Sequence, residues 1–118
     1  MINIIHFLAL NKRDIVIKGD GKSVRSYLYT ADLVVWLLRI LSSGKNRDVY
    51  NVGSNQQIVI RDLANTIGLN SIDVRILGNE TGRKTIYVPC VNKSKIDLGL
   101  DIYTSLQATI IKTFNFYT

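Results

Sequence analysis

The stretch GDGKSVRSYLYTADLVVWLLRIL, residues 19–41, places a turn, a strand and a helix in immediate succession. Its first glycine follows the apolar run at residues 15–17, and a strand followed by G-x-G is how a dinucleotide-binding loop begins. That loop needs a third glycine and then a helix. Val24 stands at the third glycine position, and the residues after it alternate as a strand. We therefore predict a tight turn here, with no cofactor-binding residues.

Beyond the turn, alternation of side chains places Arg25, Tyr27 and Tyr29 on one face of the strand. With one basic and two aromatic side chains, this face differs from an ordinary core face. Thr30 is the expected N-cap of the following helix, and Gly44 is its expected end.

The helix in this stretch is apolar on every side from Leu33 to Leu38. A short helix of that kind is typical of an element buried between two layers. A chain of 118 residues has little material for both layers. We therefore expect either self-association, as a homo-oligomer, or poor solubility.

The rest of the chain alternates short strands and helices, which indicates an α/β fold without a complete Rossmann domain. A buried strand is expected at Asp48–Ser54, Asn92 is the expected cap of the helix that ends at Gly99, and Thr104 with Gln107 has capping-box spacing. The other predictions are helices at residues 1–10, 31–43, 61–68 (with Leu63, Ala64 and Ile67 facing inward), 93–99 and from 104 onward, and strands at 15–18, 24–30, 58–60, 71–77 and 83–89.

Composition narrows the classes of function. The net charge of +6 favours anionic partners, but the basic residues are spread along the chain rather than clustered, which disfavours nucleic acid. One Cys and one His exclude an internal disulfide and a His/Cys zinc site within one chain. The apolar start is too short to cross a membrane and does not resemble a signal peptide, so we expect a cytoplasmic protein with no membrane partner.

Four motifs in order, GDGKSVRSYLYTADLVVWLLRIL, YNVGS, IRDLA and VNKSKIDLGL, resemble the C-terminal part of the extended short-chain dehydrogenases. Within that superfamily the chain is most similar to the nucleotide-sugar epimerases and dehydratases, above all the dTDP-glucose 4,6-dehydratase type. The resemblance covers nearly the whole chain. It implies that residues 1–118 are the nucleotide-sugar-binding C-terminal domain, without the N-terminal NAD-binding domain.

The resemblance also assigns candidate site residues. Arg25 occupies the position of an arginine that contacts the substrate diphosphate, and Arg83 lies near a second phosphate-binding arginine, although out of the usual register. Asn3 stands closest to a family amide near the phosphates. Val16 and Lys18 lie where the family holds the nucleobase, although an aromatic residue often replaces Lys18 there. As ordinary alternatives, Arg25 and Arg83 are surface charges and Asn3 belongs to a first helical turn.

No tyrosine in the chain is followed four residues later by lysine, so the family's Tyr-x-x-x-Lys pair is missing and we assign no catalytic or metal-binding residues. The resemblance implies a parent enzyme of polysaccharide biosynthesis that uses NAD to dehydrate or epimerise a dTDP-, UDP- or CDP-linked sugar. This chain would bind the nucleotide sugar and bind no cofactor itself. The alternative is an independent, non-catalytic module that binds phosphorylated ligands or a protein.

Overall fold

The computed structural model describes residue 11 and residues 13–68, 72–79 and 83–117. The helix predicted for residues 1–10 and the candidate Asn3 lie outside them. The strands are β1 (Ile15–Ile17), β2 (Val24–Ser26), β3 (Gln57–Val59), β4 (Val74–Ile76) and β5 (Ile86–Tyr87), and the helices are α1 (Thr30–Ser43), α2 (Ile60–Gly68), α3 (Asn92–Leu98) and α4 (Leu106–Tyr117).

The strands form two small sheets. β1 pairs with β4 in parallel, with Val16 opposite Arg75. β2 is the centre of the second sheet, antiparallel to β3 and parallel to β5. In this register Arg25 lies opposite Ile58 on one side and Tyr87 on the other. The mixed α/β class that the sequence predicts is confirmed.

The first of two hydrophobic clusters, the sheet core, joins β1, α2 and α4. The amphipathic pattern of α2 buries Leu63, Ala64 and Ile67 completely, as predicted. Partly buried side chains from β4 and the β2–α1 connection complete the cluster. Its buried members are Ile15, Ile17, Ile60, Leu63, Ala64, Ile67 and Ile110.

The second cluster, the Trp36 core, packs α1 against α3 and the segment after it. Trp36 is fully buried, with Val91, Leu98 and Leu100 around it. Its indole Nε1 donates a hydrogen bond to the Asp101 carbonyl at 2.8 Å. Because a buried indole N–H is costly without an acceptor, this bond fixes where the chain after α3 must pass.

The two faces of α1 differ sharply. Trp36 and Asp32 are buried on the inner face, whereas five large apolar side chains on the outer face are about half exposed or more. Those residues are Val34 (51%), Val35 (47%), Leu37 (50%), Leu38 (60%) and Leu41 (84%). The described residues therefore cover only one side of the helix whose composition predicts burial on both.

The strand expected at Asp48–Ser54 is wrong, because these residues form no strand in the structure. Side chains satisfy part of the backbone instead: Ser94 Oγ donates to the Asn51 carbonyl at 2.7 Å. Val49 is 76% exposed, while Tyr50 and Val52 pack against the Trp36 core. A strand is defined by its backbone pairing, and this segment pairs with none of the five described strands.

The predicted helix caps also need correction. Tyr29 rather than Thr30 is the N-cap of α1, and Val91 rather than Asn92 is that of α3, in both cases without a capping side-chain hydrogen bond. At α4 it is Ser105 whose Oγ accepts from the Ala108 backbone, at 3.2 Å. The predicted ends are confirmed, with Gly44 at the C-cap of α1 and Gly99 at that of α3, in the left-handed conformation.

Asp32 links α1, which carries Trp36, to the segment that leads into α4 of the sheet core. One carboxylate oxygen accepts from the backbone N–H groups of Tyr103 and Thr104 at 2.9 and 2.8 Å, and the other accepts from the Thr104 hydroxyl at 2.9 Å. Thr104 is thereby withdrawn from the capping box that the sequence predicts. The carboxylate in α1 therefore holds the chain that leads into α4.

None of the helices in the described ranges is both long and apolar enough to cross a bilayer.

Candidate functional site

The guanidinium of Arg25 is held at the junction of β2 and β5. Its Nη1 donates to the carbonyls of Val24 and Thr85 at 2.7 and 3.1 Å, and its Nη2 donates to the Thr85 hydroxyl at 3.2 Å. These three bonds engage at most three of the five N–H donors of the group. Within the described part of the chain, at least two donors of this half-buried arginine therefore remain for an external acceptor.

Thr85 is the positioning residue that the sequence did not reveal. Its hydroxyl also lies 2.8 Å from the Ser23 hydroxyl, and its carbonyl accepts from the Val24 backbone N–H at 2.8 Å. The pairing of β2 with β5 brings it there from 60 residues away in the chain. Only the expectation of a strand at 83–89 pointed toward it, and no local pattern indicates which strand it pairs with.

Tyr27 lies next along the same face as Arg25. Burial against the sheet core raises the pKa of its phenol, and the positive charge of Arg25 opposes that shift. The phenol is therefore protonated at neutral pH and can donate as well as accept a hydrogen bond. Arginine and phenol together make a polar surface suited to an anion.

Among the described residues, no hydrogen bond or ion pair joins the other candidates to Arg25. Arg83 is exposed in the segment leading into β5, two residues before Thr85. Val16 is 43% exposed at the centre of β1, and Lys18 is exposed just after that strand, so both belong to the other sheet. Their assigned roles stay predictions.

The Gly19-Asp20-Gly21 segment is a turn between β1 and β2, as the sequence predicts. Gly21 has φ 72, and its carbonyl accepts from the Arg61 backbone N–H at 3.1 Å. The Asp20 carboxylate accepts from the Lys22 backbone N–H at 3.0 Å. The segment leads into a strand, so it presents no helix N-terminus to a pyrophosphate, and these residues do not fit a dinucleotide cofactor.

Among the described residues, no three His, Cys, Asp or Glu side chains come together as they would to hold a metal ion. Cys90 is exposed and forms no disulfide. At Arg25 the described residues offer a fixed guanidinium with N–H donors, a group that can pair with an anion.

Comparison with known proteins gives these positions a context. The sequence model of the NAD dependent epimerase/dehydratase family matches residues 1–53. A trifunctional UDP-glucose 4,6-dehydratase/UDP-4-keto-6-deoxy-D-glucose 3,5-epimerase/UDP-4-keto-L-rhamnose-reductase of Arabidopsis thaliana is 40% identical over 116 residues. That alignment covers 94% of this chain and 17% of the plant protein.

Solved structures agree on the fold. Pal from Bacillus thuringiensis superposes with a TM-score of 0.87 at 26% identity. A dTDP-glucose 4,6-dehydratase from Bacillus anthracis, solved in complex with NAD, superposes with a TM-score of 0.84 at 21% identity. Each match covers 98% of this chain and 38% of the other. The chain thus spans well under half the length of the proteins it matches.

Proposed function

We propose, for a chain that belongs to the NAD-dependent epimerase/dehydratase family, the role of binding the nucleotide diphosphate of a sugar-nucleotide substrate. Residues 1–118 would then form the substrate-binding C-terminal domain of a dehydratase or epimerase. The observation that carries the proposal is the fixed guanidinium of Arg25, which retains N–H donors for an external anion.

The chemistry of the site supports a phosphate ligand. A guanidinium pairs with phosphate oxygens through charge-assisted and often bidentate hydrogen bonds. Thr85 restrains this guanidinium from both its carbonyl and its hydroxyl, so less side-chain entropy is lost when an anion binds. Arg83, exposed two residues before Thr85, would supply a second positive charge to the diphosphate. Val16 and Lys18 would contact the base.

Within the whole enzyme this domain would position the substrate. Oxidation of the sugar by NAD and its later reduction would use residues outside this chain, since the Gly19-Asp20-Gly21 turn does not fit the cofactor. A held diphosphate fixes the sugar relative to the reacting groups. Such positioning contributes on the order of 7–11 kcal/mol to catalysis in favourable cases.

Isothermal titration of the purified chain tests the proposal. We expect weak, saturable binding of UDP and dTDP, and no binding of NAD at the same concentrations. UDP and dTDP share the diphosphate and differ only in a ring methyl group and a ribose hydroxyl, so similar affinities would show that neither of these two groups decides binding. Binding of NAD equal to that of UDP, or no binding of either diphosphate, would contradict the proposal.

A further inference from the structure

A concave surface lies between the β2–α1 connection and α4. It is a cleft of about 560 Å³, within the size range of sites for small molecules. The rings of Tyr27, Tyr29 and Phe116 line it, together with hydroxyl groups that include that of Thr30. None of the four described candidate residues for substrate binding is among its lining residues. The cleft therefore differs from the Arg25 site in its cation, although Tyr27 belongs to both surfaces.

The charge in this cleft comes from Lys112. Its Nζ lies 5.3 Å from the centroid of the Tyr29 ring, as in a cation–π pair. None of the described residues that line the cleft is acidic. The nearest carboxylate along α1, Asp32, already accepts hydrogen bonds from Tyr103 and Thr104 with both oxygens. The ammonium thus faces a cleft in which the described residues supply no counter-charge.

Lys93 provides an internal comparison. Its Nζ lies 5.0 Å from the Tyr50 ring, which is nearly the same arrangement. Lys93 also forms an ion pair with Asp48, and that contact lowers the pKa of Asp48 and raises that of Lys93. Of these two lysine–tyrosine pairs, the one at Lys93 has a carboxylate partner, whereas no described residue supplies one to Lys112.

We propose that this cleft binds a small organic anion with a flat ring, whose phosphate or carboxylate pairs with Lys112 while the ring packs among the aromatic side chains. A single cation sets the preference for one anionic group, since Lys112 is the only charged residue among the described lining residues. The apolar rings favour a ligand with a flat hydrophobic body over a free inorganic ion. The hydroxyl of Thr30 offers a further hydrogen bond for orientation.

This site does not depend on the proposed function at Arg25, and one set of titrations separates the two. The probe is 4-nitrophenyl phosphate, compared with inorganic phosphate and with the neutral 4-nitrophenyl glucoside. The variants are Lys112→Met, Lys93→Met as the matched lysine–tyrosine control, and Arg25→Ala. All three substitutions are at exposed or half-buried positions, and circular dichroism checks that each variant is folded.

We expect 4-nitrophenyl phosphate to bind more tightly than either comparison compound. Lys112→Met should weaken its binding about tenfold, as expected for a lost charge-assisted contact, while Lys93→Met and Arg25→Ala leave it unchanged. The proposal is overturned if Lys112→Met has no effect, if Lys93→Met weakens binding equally, or if inorganic phosphate binds as tightly as the probe. If Arg25→Ala abolishes binding of the probe, the anion is held at the other surface and the cleft proposal also fails.

Discussion

The sheet core and the Trp36 core differ in how completely the described chain surrounds them. In the sheet core, α2 buries its apolar face against β1 and receives further cover from α4. In the Trp36 core, α1 buries Trp36 but leaves its opposite apolar face in solvent. The outer face of α1 therefore indicates where a larger protein, or a second copy of this chain, would contribute packing.

Truncating one side chain on each face of α1 gives the largest expected effect and tests whether only the inner face is buried. Trp36→Ala should destabilise the chain by about 3–5 kcal/mol, because it empties a fully buried site and frees the Asp101 carbonyl. Leu41→Ala, at a position 84% exposed, should change stability by no more than about 0.5 kcal/mol. Urea unfolding followed by circular dichroism measures both. An equal cost for Leu41→Ala would mean that the outer face is covered.

The next effect concerns the link between the two cores. Asp32→Asn replaces one accepting oxygen by an NH₂ group that faces donors from Tyr103 and Thr104, and should cost about 1.5–3 kcal/mol. Asp62→Asn is the matched control, because Asp62 is the third residue of α2 as Asp32 is of α1, but is exposed. It should cost about 0.5 kcal/mol or less.

Hydrogen exchange locates the loss caused by Asp32→Asn. The amides of residues 103 and 104 should lose protection first, since their acceptor is removed. Similar unfolding midpoints for Asp32→Asn and Asp62→Asn would show that the buried carboxylate does not join the two cores.

Self-association through α1 should have a smaller free energy than the effects of the two preceding substitutions, and it can be measured in solution. The outer-face residues Val34, Leu37, Leu38 and Leu41 recur at helical spacing. We expect the purified chain to scatter light as a species heavier than its 13.3 kDa monomer. Leu38→Lys combined with Leu41→Lys should return it to the monomer mass. A monodisperse wild-type monomer would contradict the expectation.

Local patterns in the sequence predicted the parts of the fold that depend on local contacts. The buried face of α2, the turn at Gly21 and the ends of α1 and α3 were all correct, since period and glycine conformation determine them. The buried strand expected at residues 48–54 was wrong, since this segment pairs with none of the described strands. The capping box expected at Thr104 was wrong because the Thr104 hydroxyl donates to Asp32, which is distant in sequence.

At the candidate site, too, contacts between distant residues could not be predicted from local sequence. The family resemblance selected Arg25, but it could not indicate Thr85, since the contact depends on the pairing of strands 60 residues apart. Lys112 was missed for a similar reason, because its partner Tyr29 lies at the other end of the chain. The resemblance thus supplied the candidates Arg25, Arg83, Asn3, Val16 and Lys18, and the tertiary structure showed what surrounds Arg25.

The most direct test of a diphosphate site at Arg25 is the affinity of UDP for Arg25→Ala relative to the wild-type chain, measured by titration calorimetry. We predict that UDP binding free energy falls by roughly 1.5–3 kcal/mol, a more than tenfold loss of affinity, because a charge-assisted contact is removed. Arg47→Gly is the control: it removes another guanidinium at an exposed turn residue whose φ of 63 suits glycine, and it should leave the affinity unchanged. An unchanged affinity in Arg25→Ala, or an equal loss in Arg47→Gly, would contradict a diphosphate site at Arg25.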